Sequence, residues 1–281
     1  MPLRPYITDP LLPGQMFHIY NRGNEQGTLI CYEQANYEYF LRKLQQYMSD
    51  YLNLYAYCIL PDHYHLAVKV RPIDEVLEAA TRDLKKIRKD AWERVKRMVE
   101  AGDKVFQEGE AVLTEGTDSE SGSYLPVFRN AELPVFQKLA ILSQPHPPYI
   151  TDILPQLTEA GKLYLAAWAV SERMRRFNLA YSKAVNKQQG RRGSLMQKPF
   201  RRKRFDTIED MCRLIRYIHR NPVHHGYVNT VEEYPWSSYG AYVKSAKTKL
   251  KKEEAMGWFG GKEHFVAYHS QGGGAKFHEP D

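Results

Sequence analysis

No stretch of this 281-residue chain approaches the ~18 consecutive apolar residues that a bilayer-spanning helix needs, so no membrane partner is expected. The opening lacks the apolar core of a signal peptide: Met1 to Met16 carries Arg4, Asp9 and four prolines. Cytoplasmic residence is the expectation. Cysteine is scarce, with Cys31, Cys58 and Cys212 far apart and no C-x-x-C pair. That excludes a disulfide framework and a zinc knuckle, and the three read as small core residues. Acidic residues are missing altogether from Arg173 to Phe205, which holds 12 Lys and Arg. The rest of the chain then has 28 basic against 33 acidic residues, so the net charge of +7 comes from one block. Such a block suits a polyanion such as nucleic acid, although solvated basic faces are common and charge alone does not decide it.

What is present has clear periodicity. Met16 to Asn21 reads as a strand, and Asn36 to Met48 as an amphipathic helix with Tyr37, Phe40, Leu41, Leu44 and Met48 on one stripe. Leu54 to Leu60 and His63 to Val70 read as two arms of a hairpin turned at Pro61-Asp62. From Val76 the pattern switches to a long helix through Ala80, Leu84, Ile87, Ala91, Val95 and Met98. Glu100 to Glu120 is acidic and runs into a Ser/Gly-rich loop. Helical spacing returns over Leu163 to Val185. Phe200 to Phe205 reads as a strand with its basic residues presented outward. A last helix starts at Asp206, with Glu209 as capping partner, and is expected to stop at Pro222.

Three features carry chemistry. His63 and His65 are two apart on a strand, which puts both imidazoles on one face, where they can hold a divalent metal. Such H-x-H pairs also arise by strand alternation alone. Tyr217 and Asn221 are four apart on a helix and so stand one above the other. A metal beside such a tyrosine can stabilise its phenolate, lowering a pKa from about 10 and making a nucleophile. With 20 tyrosines, a packing role is the ordinary alternative. The third is the basic block, in which Phe177, Tyr181, Phe200 and Phe205 are interleaved, a pattern suited to single-stranded nucleic acid. Phe177 and Tyr181 also fit a core stripe.

Together these segments resemble a known family. Leu60-Pro61-Asp62-His63-Tyr64-His65-Leu66 resembles the histidine–hydrophobic–histidine (HUH) motif of the single-tyrosine transposases. Tyr217-Ile218-His219-Arg220-Asn221-Pro222-Val223, with His225-Gly226 after it, resembles their tyrosine helix. His18-Ile19-Tyr20-Asn21-Arg22-Gly23-Asn24, Gly190 to Leu195 and Tyr234-Pro235-Trp236-Ser237-Ser238-Tyr239 complete the set in order. The nearest branch is the REP-associated tyrosine transposases of the IS200/IS605-like superfamily. The likeness covers roughly residues 14 to 72 and 165 to 242.

The resemblance implies an α/β (α+β) fold: a ferredoxin-like antiparallel sheet with helices packed on one face, plus a mainly helical insertion. It divides the chain into a catalytic domain (1–75 and 163–243), an inserted helical and acidic region (76–162) and a flexible C-terminal tail (244–281). It implies Mg²⁺ or Mn²⁺ bound by His63, His65 and Asn221, with Tyr217 attacking a phosphate to leave a 5′-phosphotyrosine and a free 3′-hydroxyl. The expected partner is single-stranded DNA with hairpin structure. Arg22, Arg191, Arg192, Arg201, Arg202, Lys203 and Arg204 are the candidate DNA contacts. A homodimer exchanging the tyrosine helix is compatible with the pattern, as is a monomer. Two other readings fit the same residues: a domesticated protein that grips structured single strands without cutting, and a metal hydrolase in which Tyr217 is structural. His18 reads as a satisfied structural histidine, and His224 and His225 as phosphate or backbone contacts at most. Turn chemistry accounts for Asp62, which also stands where it can support the histidines.

Overall fold

The computed structural model describes residues 10–85, 149–157, 159–244 and 248–270. The helix expected to run from Val76 through Met98 stops at Leu84, where Lys85 leaves helical geometry with φ 53°, and the rest of that expected helix and the expected acidic loop lie outside the described residues. Four strands, β1 (Met16–Arg22), β2 (Leu52–Ile59), β3 (His63–Val70) and β4 (Arg201–Phe205), form one sheet in the order β2-β3-β1-β4. Every pairing is antiparallel. With α1 (Gln34–Met48) between β1 and β2, and α2 (Ile73–Leu84) and α4 (Glu159–Gln188) between β3 and β4, this is the ferredoxin-like arrangement. A short α3 (Ile150–Ile153) precedes α4, and Ile150 N–H donates to Lys85 C=O at 2.8 Å, so the chain leaves and re-enters the fold at one point.

Strand alternation gives the sheet two unlike faces. Phe17, Ile19, Tyr64, Leu66 and Val68 point to one side, where they bury against Phe40 and Leu44 of α1, Val76 and Ala80 of α2, and Val170, Phe177 and Tyr181 of α4. Phe177 and Tyr181 are thus core residues. Each such side chain contributes about 1.5–3 kcal/mol on burial. α2 belongs to this core, which therefore reaches to Leu84. The other side carries His18, Tyr20, Arg22, His63, His65 and Ala67, and it is covered by α5 (Ile208–His224) through Met211, Leu214, Ile215 and Ile218. Helices therefore pack on one face as expected, and α5 lies on the second.

Two local expectations are corrected. The cap of α5 is Thr207 rather than Asp206: its Oγ1 accepts from the Asp210 N–H at 3.1 Å. Pro222 does not end the helix. It sits in the last turn, where the His225 N–H still reaches Asn221 C=O at 3.0 Å and carries the helix on to His224.

The segment after 243, expected as a flexible tail, forms α7 (Lys252–Trp258) and α8 (Lys262–Ser270) after a short α6 (Tyr239–Val243). Ala255, Phe265 and His269 bury against α5, which outweighs the lysine-rich composition. This part also covers the sheet edge. Ile59 N–H donates to Trp236 C=O, Ser238 N–H to Tyr57 C=O, and Lys251 N–H to Leu54 C=O, closing much of the open side of β2. Cys31 and Cys58 are buried and Cys212 is half-buried, all as free thiols. Among the described residues, no helix is long and apolar enough to cross a membrane.

Candidate active site

β3 begins at His63, directly after the Pro61-Asp62 turn, and that turn is pinned from outside. Ile30 and Cys31 both donate their N–H to Pro61 C=O, and Gly23 N–H donates to Asp62 C=O at 2.8 Å. Gly23 cannot be larger: a Cβ there would lie 2.1 Å from Thr28 O. With the turn held, the Asp62 carboxylate sits 2.7 Å from His63 Nδ1. This hydrogen bond to His63 is the main reason the Asp62 carboxyl titrates below the usual carboxylate range.

The two histidines are gripped differently. His63 has Asp62 on Nδ1, and its Nε2 lies 3.1 Å from Asn221 Oδ1. His65, which is 1% exposed, has Nδ1 at 2.9 Å from His18 Nε2. Burial, then Lys203 nearby, pushes the His18 imidazole down to about 3. Burial, reinforced by His18, His63 and His225, holds His65 well below its ordinary value. Both rings are neutral, so a single proton lies between them. The His63 and His65 rings meet edge-on with centroids 5.0 Å apart.

α5 crosses this face and delivers its residues at helical spacing. The Tyr217 ring stands 5.6 Å from His65 and 6.0 Å from His18, edge-on to both. One turn later, Asn221 reaches His63. The structure thus brings His63, His65, Tyr217 and Asn221 to one place. Among the described residues no group of three or more His, Cys, Asp or Glu is poised around a metal position, since this cluster offers two imidazoles and an amide. The donor chemistry nevertheless fits a divalent cation. When His63 donates its Nδ1–H to the Asp62 carboxylate in a hydrogen bond, its Nε2 and Asn221 Oδ1 are two acceptors facing each other. The Asn221 amide nitrogen is buried and has no hydrogen-bond partner among the described residues. Two imidazole nitrogens and an amide oxygen form a mixed donor set of the kind that divalent cations accept.

The expected DNA contacts are divided by the sheet. Arg201 pairs in register with Tyr20 and Lys203 with His18, so both stand on the histidine face, and Arg22 stands opposite His63 there. Arg202 and Arg204 alternate to the α4 side. Arg202 Nη1 donates to Ser171 Oγ at 3.1 Å, and Arg204 pairs with Asp206 at 2.9 Å. The Phe200–Phe205 segment therefore presents its charges to both faces, not one. Arg191 donates to Tyr32 Oη at 3.0 Å and Arg192 is exposed on the same loop. The basic block is also partly neutralised within α4, where Glu172 binds Arg175 and Arg176, and Arg173 reaches Asp83.

No family model matches the chain, and no curated protein does. Among solved structures it is similar to a REP-associated tyrosine transposase bound to a REP hairpin. The two are 14% identical, the match covers 86% of this chain and 85% of the other, and the TM-score is 0.44.

Sequence reasoning left two residues out of the site. His18 is the satisfied, buried histidine expected, and the partner that satisfies it is His65. Its alternation with Tyr20 and Arg22 along β1 was the available signal. His225 was set aside as a phosphate or backbone contact at most, and its ring lies edge-on to His63 at 4.9 Å. Nothing in the sequence marks that contact, because it depends on how α5 ends.

Proposed function

We propose that this protein is a metal-dependent endonuclease and transesterase acting on single-stranded DNA at hairpin-flanked sites, with Tyr217 as nucleophile. The observation that carries the reading is the meeting of two separate patterns: Tyr217 and Asn221 from α5 arrive beside His65 and His63 from β3. A packing tyrosine requires no such neighbours.

In this reading His63 Nε2, His65 Nε2 and Asn221 Oδ1 hold Mg²⁺ or Mn²⁺. The bound ion supplies Lewis-acid polarisation of a phosphate oxygen and a fixed template. Asp62 and His18 orient the two imidazoles through their Nδ1 atoms. Tyr217 Oη loses its proton to solvent and bonds to phosphorus while the P–O3′ bond breaks. The 3′ oxygen then takes up a proton, leaving a 5′-phosphotyrosine and a free 3′-hydroxyl. Because the phosphodiester energy stays in the new bond, the reverse attack rejoins strands without ATP. The cations on the histidine face, Arg22, Arg201 and Lys203, meet the strand's phosphates.

The test is covalent capture. Single-stranded DNA carrying hairpins, from the flanks of the protein's own coding sequence, is incubated with protein in Mn²⁺ or EDTA and run on a denaturing gel. The expected adduct maps to Tyr217 and is lost with EDTA, Tyr217→Phe or His63→Ala. Cleavage that survives Tyr217→Phe makes the protein a metal hydrolase instead. Tight hairpin binding without adduct or cut makes it a binding protein.

A further inference from the structure

The last residue of α5 is His224, and the chain then reads His225-Gly226-Tyr227. Gly226 takes φ +71°, a left-handed conformation that glycine adopts without strain. Its N–H donates to Val223 C=O at 3.0 Å, and the Tyr227 N–H donates to Pro222 C=O at 2.9 Å. This pair of bonds is the Schellman cap, and it fixes the Tyr227 backbone. In such caps an apolar residue at this position commonly folds back onto the helix. Tyr227 does not: it is 46% exposed, a large ring at the surface on a fixed backbone.

The ring lies at the rim of the site. The His63–His225 centroids are 4.9 Å apart, His225–Tyr227 6.4 Å, and Tyr227–Tyr234 6.4 Å. The last two pairs are tilted by 42° and 43°, so neither neighbour stacks flat on Tyr227. Tyr234 forms a fixed far wall, its Oη donating to Ile59 C=O at 2.8 Å. Arg22 stands next to His63 in the strand register, and its exposed guanidinium makes no hydrogen bond or ion pair among the described residues.

We propose that Tyr227, with His225 beside it, is a stacking platform for one unpaired base adjacent to the phosphate that Tyr217 attacks, while Arg22 takes a neighbouring phosphate. This assignment rests on the strand-cutting reading above. Base–aromatic stacking tolerates every base and needs a ring face open to solvent, which Tyr227 offers from the capped end of α5. A cation and an aromatic that both neighbour His63 match the two parts of a nucleotide.

The experiment uses the full chain and a hairpin with single-stranded arms, with 2-aminopurine walked along the arms one position at a time. At one position the fluorescence is expected to be quenched by wild type and Tyr227→Phe but not by Tyr227→Ala. The affinity of Tyr227→Ala falls roughly five- to hundredfold. An abasic nucleotide at that position weakens wild-type binding by a similar factor and leaves Tyr227→Ala unchanged. Binding by Tyr227→Ala within twofold of wild type, with the Tyr217 adduct still formed, overturns the platform and leaves the cutting reading standing. Loss in Tyr227→Phe equal to that in Tyr227→Ala also overturns it, because the hydroxyl and not the ring face would then be at work. A wild-type protein that neither binds the arms nor forms the adduct overturns both.

Discussion

His18 Nε2 lies 2.9 Å from His65 Nδ1, and the two buried rings are stacked with centroids 5.0 Å apart. Only one proton fits between them, and its position decides what His65 can do. With the proton on His65 Nδ1, the lone pair of His65 is on Nε2, and the residue can ligate. With the proton on His18 Nε2, His65 carries its own proton on Nε2 and cannot. His63 has a carboxylate partner instead, which both accepts the Nδ1 proton and raises ligand basicity. His18→Leu is therefore expected to weaken Mn²⁺ binding by about 10- to 100-fold. His18→Gln, whose amide oxygen can accept at the same place, should recover part of the loss. Mn²⁺ titration followed by electron paramagnetic resonance reads this without any DNA. Equal affinity in all three proteins would mean that His65 is oriented from elsewhere.

The two chemical pairs were legible because each sits within one element. A spacing of two on a strand and of four on a helix are fixed by backbone geometry, so His63 with His65 and Tyr217 with Asn221 could be read directly. The ferredoxin-like order was legible only through the family resemblance, because the burial along β1, β2 and β3 does not alternate strictly and alternation does not give strand order. His18 was not legible as a partner because it is 47 residues from His65 and meets it only through the β1–β3 register. α7 and α8 were not legible because the lysines from Lys244 to Lys252 and the glycines from Gly272 to Gly274 frame that stretch as a tail. Phe265 and His269 bury there by packing on α5, which no local pattern announces.

Gly23 is a steric requirement of the site. An added Cβ would lie 2.1 Å from Thr28 O and 2.8 Å from Thr28 Cβ, and the backbone oxygen has no flexible side chain to swing away. Gly23→Ala should cost about 1–3 kcal/mol in urea unfolding, as overpacking generally does. It should also disturb the Asp62 turn, since Gly23 N–H holds Asp62 C=O. Mn²⁺ affinity is expected to fall along with stability. Unchanged stability would show that the 24–31 loop shifts freely and does not pin the turn.

His269 makes folding acid-sensitive. Its Nδ1–H donates to Phe265 C=O at 2.8 Å, and its Nε2 accepts from His219 Nδ1–H at 2.9 Å. His219 Nε2 in turn accepts from Ser238 Oγ–H at 2.7 Å, so the neutral chain is fully bonded. Burial, the largest cause, lowers His269 to about 4, and burial also holds His219 well below its ordinary value. The unfolded imidazole titrates near 6.5, so below that pH the unfolded state binds more protons. The stabilisation is complete above about pH 6.5 and is lost as pH falls toward 4, at up to about 1.4 kcal/mol per pH unit per histidine. The urea midpoint should drop from pH 7 to pH 5, and His269→Gln should flatten that drop. A drop that is as steep in His269→Gln assigns the acid sensitivity to other groups.

The register of β4 sorts its four cations before any DNA is bound. Arg201 and Lys203 share the face of His63 and His65, whereas Arg202 and Arg204 point toward α4, with Arg204 paired to Asp206. A strand that reaches Tyr217 must run along the first face. Arg201→Ala and Lys203→Ala should each weaken single-strand binding and reduce the slope of log affinity against log salt by about 0.7, the value of one lost phosphate contact. Arg204→Ala should leave the slope unchanged, because its partner is a carboxylate of the same chain. Slopes measured by fluorescence anisotropy over a salt series separate the two sets. An equal loss in Arg204→Ala would put the strand on the α4 side of the sheet, away from Tyr217, and the cutting reading would fail with it.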